Sequence, residues 1–156
     1  MRGLSPHFDV VVVGAGAAGM MCAIEAGKRG RSVKVIERND AVGKKIRISG
    51  GGRCNFTNIH TTPEHFICGN RHFHKSALSR YSPADFIALV ERHRIRYHEK
   101  KLGQLFCDGT SDEILNMLQK EASKAKVQVQ TNCRITSIRK NDHFRIETNR
   151  EAFTCS

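Results

Sequence analysis

The sequence of 156 residues contains no apolar run approaching the roughly 20 residues of a membrane-spanning helix, so no membrane partner is expected. Its opening, Met1-Arg2-Gly3-Leu4-Ser5-Pro6-His7, begins no apolar stretch of the signal-peptide kind, which makes a cytoplasmic location the expectation. Six cysteines never stand closer than 14 positions apart, so no pair has zinc-ligand or redox spacing, and they read as reduced thiols rather than a disulfide framework. Only two tyrosines are available to stack on bases. The net charge of +11 is formally compatible with nucleic acid, but the basic residues are spread along the chain. An anionic small molecule would draw on the same charge, so a small-molecule substrate and no nucleic acid are expected. There are no repeats and no low-complexity segments. What is present is core material: 39% of the residues are hydrophobic, on a length that fits one domain.

Phe8-Asp9-Val10-Val11-Val12-Val13 is continuous and β-branched, the pattern of a strand buried on both faces. A glycine-rich turn follows at once, then an Ala/Met-rich stretch to about Lys28 with strong helix propensity. Gly30 suits the left-handed position past a helix end, and Val33-Lys34-Val35-Ile36-Glu37 is a second strand. Together they make a βαβ unit with a right-handed crossover. Residues 39 to about 80 show little periodicity. Ser82-Pro83-Ala84-Asp85 starts a helix with Phe86, Leu89 and Val90 on its apolar stripe. Thr110 and Glu113 form a capping box before Ile114, Leu115, Leu118 and Ala122. Val127–Gln130, Arg134–Ile138 and Phe144–Thr148 read as strands, the last two forming an antiparallel hairpin. The predicted fold is α/β, a Rossmann-type domain whose parallel strands near 8–13, 33–37 and 127–131 have the first at the centre.

Two constellations carry chemistry. Gly14-Ala15-Gly16-Ala17-Ala18-Gly19 places a G-x-G-x-x-G between a strand and a helix, and Glu37 ends the second strand 18 positions on. In a dinucleotide site, Gly14 permits the tight turn, Gly16 lets the backbone approach the pyrophosphate, and Gly19 lets the helix pack on the strand. The helix N-terminus would meet the phosphates, and Glu37 would accept from ribose hydroxyls while repelling a 2′-phosphate. The second is Gly43-Lys44-Lys45 with Ser49-Gly50-Gly51-Gly52-Arg53-Cys54-Asn55-Phe56-Thr57-Asn58. Three consecutive glycines suit a main chain passing close to something flat or charged. Lys45, Ser49, Arg53 and Asn55 supply donors for a diphosphate or a flavin edge; a flexible basic loop is the competing reading.

The pairing of these two motifs resembles a bacterial FAD-containing flavoprotein family, NAD(P)/FAD-dependent oxidoreductases like aminoacetone oxidase or the oxidoreductase of bile-acid dehydroxylation. Gly103-Gln104-Leu105-Phe106 followed by Ser111 resembles a family stretch, with Cys107 where proline is expected. Thr131-Asn132-Cys133-Arg134-Ile135 resembles the strand end that holds the adenine through its backbone, which points to Ile135. The resemblance implies FAD, with NAD(P)H as a candidate reductant. The roughly 90 residues between the second and third parallel strands could wrap such a long cofactor. The cofactor-binding residues expected are Gly14, Ala15, Gly16, Ala17, Ala18, Gly19, Glu37, Arg38 and Lys45, with Ser49, Gly50, Gly51, Gly52, Arg53, Asn55 and Ile135.

The resemblance also implies that residues 1–156 form the N-terminal part of a longer FAD-dependent oxidoreductase, truncated before a substrate domain and a flavin-closing segment. On its own, such a piece is expected to self-associate or aggregate through an exposed sheet edge, to bind FAD weakly if at all and not to turn over substrate; the alternative is a non-catalytic fragment that holds FAD or an adenine nucleotide. No metal site is expected from His60, His65, Cys68, His72 and His74, whose spacings lack paired ligands and accompanying carboxylates. Cys54 beside Arg53 reads as a passive cysteine rather than a redox thiol.

Overall fold

The computed structural model describes residues 5–156; Met1–Leu4, part of the opening read above for a signal peptide, lie outside the described residues. The chain divides into two compact units, Met1–Lys45 with Leu118–Ser156, and Ile46–Met117.

The first unit holds the predicted βαβ. Strand β1 (His7–Phe8) and strand β2 (Val10–Val13) are separated at Asp9. Helix α1 (Ala17–Lys28) buries Met20, Ala23 and Ile24, and Gly30 follows it at φ +76°. Strand β3 (Val33–Ile36) pairs in parallel with β2, Val12 opposite Val35, and on its other side with β7 (Gln128–Gln130), Val35 opposite Val129. The order is therefore β2-β3-β7, which corrects the expectation that the first strand is central. Burial follows the order. All four residues of β3 are buried, whereas Val10–Val12 are half-buried and Val13 is 62% exposed, so β2 is not buried on both faces. Even Lys34 is buried in the central strand. Its Nζ pairs with Glu151 at 3.0 Å and lies 4.6 Å from the Phe153 ring centre, which compensates the buried charge.

A second sheet of this unit, order β1-β10-β9-β8, contains the expected hairpin, β8 (Ile135–Lys140) with β9 (Phe144–Thr148), extended by β10 (Ala152–Cys155). Phe8, Ile36, Cys133, Ile146, Phe153 and Cys155 make a common core between the sheets.

The second unit contains a sheet that the sequence did not announce. Strands β4 (Asn55–Asn58), β5 (Tyr97–Glu99) and β6 (Gln104–Cys107) are antiparallel in the order β4-β6-β5. The unit begins within α2 (Lys44–Ile48) and also holds α3 (Lys75–Arg80) and α4 (Pro83–Arg92). Helix α4 starts on the predicted residues: Ser82 accepts from the Asp85 N–H, and Leu89 and Val90 are buried. Helix α5 (Asp112–Lys124) runs through the boundary between the units and buries Ile114, Leu115, Leu118 and Ala122. Its start departs from the expected capping box, since the Thr110 hydroxyl accepts from the Asp112 N–H at 3.3 Å. No helix of the described residues is long and apolar enough to cross a membrane. All six cysteines are free.

Candidate dinucleotide site

The glycine turn begins where β2 ends, and its three glycines answer to different demands. Gly14 sits at φ +98°, where a side chain is strained, and its N–H donates to the Ile36 carbonyl at 2.8 Å. At Gly19 a Cβ would collide with the Gly14 carbonyl oxygen, so helix and turn close only over a glycine. Gly16 is different. Its φ of −78° suits any residue, and a Cβ there would meet no protein atom within 4 Å. Neither backbone dihedrals nor packing within the protein requires glycine at 16; glycine serves there as a helix N-cap and leaves the space beside the turn open to a bound group. Gly16 caps α1 without a side-chain hydrogen bond, and the first turn carries no acidic residue. The leading N–H groups, those of Ala17 and Ala18 among them, therefore present donors and a partial positive charge to an anion.

Glu37 lies just past β3 and is 8% exposed. Its Oε2 accepts the Ala15 N–H at 2.9 Å, and its Oε1 accepts the Asn39 N–H at 2.8 Å and the Asn39 side-chain amide at 2.6 Å. Burial pushes this carboxyl up, but the donors from Asn39 and Ala15, with the Arg38 charge, outweigh it and hold the group below the usual glutamate range. A carboxylate offers about four acceptor positions. Three are filled, and the fourth, on Oε2, remains for a hydroxyl. Sequence reasoning missed Asn39, although a carboxylate followed two positions later by an asparagine is a local pattern that permits this bond.

Glu37 and Arg38 open on a cleft of about 460 Å³ that Val13, Gly14, Ile36, Asn39, Cys133, Arg134 and Ile135 also line. Ile135 thus reaches the same cleft as Glu37 from 98 positions away. The Asn132 N–H donates to the Asn39 carbonyl at 2.8 Å and the Cys133 N–H to the Glu37 carbonyl at 2.9 Å, which fixes the approach. The Gly43 N–H donates to the Ala15 carbonyl at 2.9 Å, bringing the chain just before Lys45 to the turn; Lys45 itself is exposed. Uncapped helix donors, a free carboxylate acceptor, an unobstructed Gly16 and an adjoining cleft fit an adenosine diphosphate group.

The triple glycine belongs to the second unit. Gly50, Gly51 and Gly52 all have positive φ, and so does Cys54 at 52°. A Cβ on Gly50 would lie 2.7 Å from a Phe106 ring carbon, whereas Gly51 and Gly52 face no protein atom within 4 Å. The loop is tied down rather than flexible. The Ser111 N–H donates to the Gly52 carbonyl at 2.7 Å, and the Cys107 N–H to that of Arg53 at 3.0 Å. Two candidate donors are already engaged: the Ser49 hydroxyl with the Ile46 carbonyl at 2.8 Å, and the Asn55 amide with the Leu105 and Thr57 carbonyls at 3.2 and 3.1 Å. Arg53 is exposed. Cys54 is buried and its thiol pushed up, opposed by Ser49, and burial raises Cys107 to about 12. Both are poor thiolates, which disfavours redox chemistry at Cys54. Among the described residues, no group of three or more His, Cys, Asp or Glu side chains could hold a metal ion.

Residues 8–156 match the HI0933-like protein Rossmann domain. The chain is 46% identical over 136 residues to a ribosomal RNA dihydrouridine synthase of Escherichia coli, covering 87% of this chain and 34% of that protein. It is 41% identical over 157 residues to a protein of the same name from Haemophilus influenzae, covering 97% and 39%. The chain thus spans little more than a third of the length of these relatives. Among solved structures, the 3-ketosteroid-delta4-(5alpha)-dehydrogenase of Rhodococcus jostii matches with a TM-score of 0.66 at 16% identity, over 99% of this chain and 45% of that one. At that identity the likeness is one of fold, and the fold is the Rossmann type that the sequence predicted. The two dihydrouridine synthases overturn the expectation of no nucleic acid.

Proposed function

The chain belongs to the HI0933-like family, and on that premise we propose that it holds the adenosine diphosphate part of FAD in an oxidoreductase that converts uridine in ribosomal RNA to dihydrouridine. The observation that carries the reaction is 46% identity over 87% of the chain to a ribosomal RNA dihydrouridine synthase. The cofactor reading is supported by the glycine turn and Glu37. The N–H groups around Gly14–Gly19 would take the pyrophosphate, the free acceptor of Glu37 a ribose hydroxyl, and the backbone at Ile135 the adenine. Arg38 and Lys45 would add positive charge on this unit. Ser49, the three glycines, Arg53 and Asn55 are proposed for the remainder of the cofactor, mainly through main-chain N–H groups and the Arg53 guanidinium. A cytoplasmic location goes with this reading, since ribosomal RNA is its substrate.

FAD, when bound, would supply two-electron chemistry, with NAD(P)H as the proposed reductant and the base as acceptor. The balance is one hydride and one proton added across the uracil C5–C6 bond for each nicotinamide oxidised. The test is to incubate the protein with FAD, NAD(P)H and ribosomal RNA lacking dihydrouridine. Dihydrouridine formed in proportion to NAD(P)H consumed is the expected result. A protein that retains FAD, oxidises NAD(P)H with another acceptor and leaves the RNA unchanged would overturn the substrate while keeping the cofactor.

A further inference from the structure

Residues 59–80 of the second unit are unusual in what they leave in solvent. Ile67 is fully exposed, Phe73 is 79% exposed and Phe66 43%, whereas His74 is buried. The segment is nevertheless well tied. The Thr62 N–H donates to His65 Nδ1 at 3.1 Å, the His72 N–H to Asn70 Oδ1 at 3.0 Å, and the Cys68 thiol to the Asn70 carbonyl at 2.9 Å. His74 stacks on Phe66 with ring centres 4.6 Å apart and planes 17° from parallel. Its Nδ1 is 3.8 Å from the Cys68 sulfur, and its buried Nε2 has no partner. Around this stack lies a cleft of about 320 Å³, with Arg71 and Lys75 among its lining residues and Glu64 as its one carboxylate.

An aromatic stack with two cations suits a flat ring attached to an anion. Ile67 and Phe73, the chain neighbours of Phe66 and His74, are exposed and offer apolar surface in addition to the stacked rings, which favours successive bases over a single nucleotide. Arg71, Lys75 and Arg80 against the lone Glu64 favour a polyanion over an acidic or neutral protein surface. We propose that the 63–75 cleft, together with the exposed Phe73 next to His74 in the chain, is the docking site for an unpaired stretch of RNA, seating one nucleotide against the Phe66–His74 stack. This rests on the reading of the protein as an enzyme of ribosomal RNA, and it assigns RNA contact to residues that the dinucleotide site does not use. Unpaired bases stacked on aromatic side chains with cations on the phosphates are the general mode for single-stranded RNA.

The test measures binding of a fluorescent, uridine-rich single-stranded RNA to the protein, together with dihydrouridine formation in ribosomal RNA and a separate FAD titration. Phe73→Ala is expected to weaken RNA binding about tenfold, the scale of losing one base stack, and Phe73→Tyr to restore it, with FAD affinity unchanged. Arg71→Glu with Lys75→Glu should weaken binding further and flatten its dependence on salt. Free UMP should compete only weakly. Unchanged RNA affinity in the Phe73 and charge-reversed variants would overturn the docking site while leaving the proposed reaction standing if dihydrouridine still forms. UMP competing as well as the RNA would overturn the commitment to a polymer, and tighter binding of these residues to anionic vesicles than to RNA would overturn RNA as the occupant. RNA binding lost on Phe73→Ala in a protein that forms no dihydrouridine would support the docking site and sink the reaction instead.

Discussion

The two glycine clusters differ in what holds them. In the turn of residues 14–19, one glycine is demanded by φ, one by packing and one by neither. In the cluster of residues 50–52, φ demands all three, and packing adds to the demand only at Gly50. The first is a junction between a strand and a helix, where each position has its own task. The second is a short left-handed turn pinned by N–H groups from β6 and from the residue before α5. A run of glycines therefore has no single meaning, and substitution one position at a time separates the reasons.

The largest loss is expected at Gly19. Its Cβ would run into a backbone carbonyl, which cannot swing aside as a side-chain tip could, so Gly19→Ala should cost ~3 kcal/mol or more, above the usual range for overpacking. Urea unfolding measures this; a cost under about 1 kcal/mol would mean that helix and turn are less tightly apposed than the structure has them. Gly50→Ala comes next, at about 2–3 kcal/mol, since it adds a close approach to Phe106 and to the Asn55 N–H to the left-handed strain. Gly51→Ala carries the strain alone, about 1–2 kcal/mol. Equal losses at 50 and 51 would erase the distinction drawn within the second cluster.

The same contrast explains what the sequence could disclose. The βαβ of the first unit was legible because strand, turn, helix and strand are contiguous, and each uses a local signal: a β-branched run, a glycine pattern, alanine-rich helix, Gly30 after it. The order of the strands was not legible. Whether Val10–Val13 or Val33–Ile36 is central depends on β7, some 90 residues further on, and no local signal in Gln128-Val129-Gln130 names its partner. Sheet β4-β6-β5 was invisible for a related reason. Its strands have three or four residues, too few for an alternation to show, and the first begins with asparagine. Ile135 came from family resemblance rather than periodicity, and the cleft it shares with Glu37 forms only once the β7–β8 connection bonds back to Glu37 and Asn39. At Asn55 residue type alone suggests an open donor, whereas folding turns its side-chain amide toward the Leu105 and Thr57 carbonyls of its own sheet and leaves the main chain as its route to a ligand.

Glu37 sharpens the comparison because it links the first turn to the second strand, whereas the second cluster is held by the backbone N–H groups of Cys107 and Ser111. Its folded pKa lies below the unfolded value, so its contribution to stability is complete above the ordinary glutamate range and is lost as pH falls through the depressed folded value. Glu37→Gln should therefore destabilise at neutral pH and do so progressively less in acid. Urea midpoints of both proteins across that range would show the curves converging; parallel curves would mean that the carboxylate does not act through its charge. With FAD, Glu37→Ala should lose roughly 1.5–3 kcal/mol of binding, the scale of a hydrogen bond to a charged group. Unchanged affinity in a titration would remove Glu37 from the site.

The smallest effect on stability is expected at Gly16, and there the two demands on the turn come apart. A Cβ at 16 would meet no protein atom within 4 Å and the φ there strains no residue, so Gly16→Val should change the unfolding free energy by less than about 1 kcal/mol, mostly through the poorer helix cap that valine makes. The same side chain would project where the pyrophosphate has to meet the Ala17 and Ala18 N–H groups. FAD affinity should then fall by far more than tenfold in a protein that unfolds almost as the parent does. Gly19→Ala would lose both properties together, and Gly51→Ala would lose stability through strain. Only position 16 is expected to separate cofactor binding from folding so cleanly, and a Gly16→Val protein that keeps full flavin would reduce the glycine pattern to a folding device.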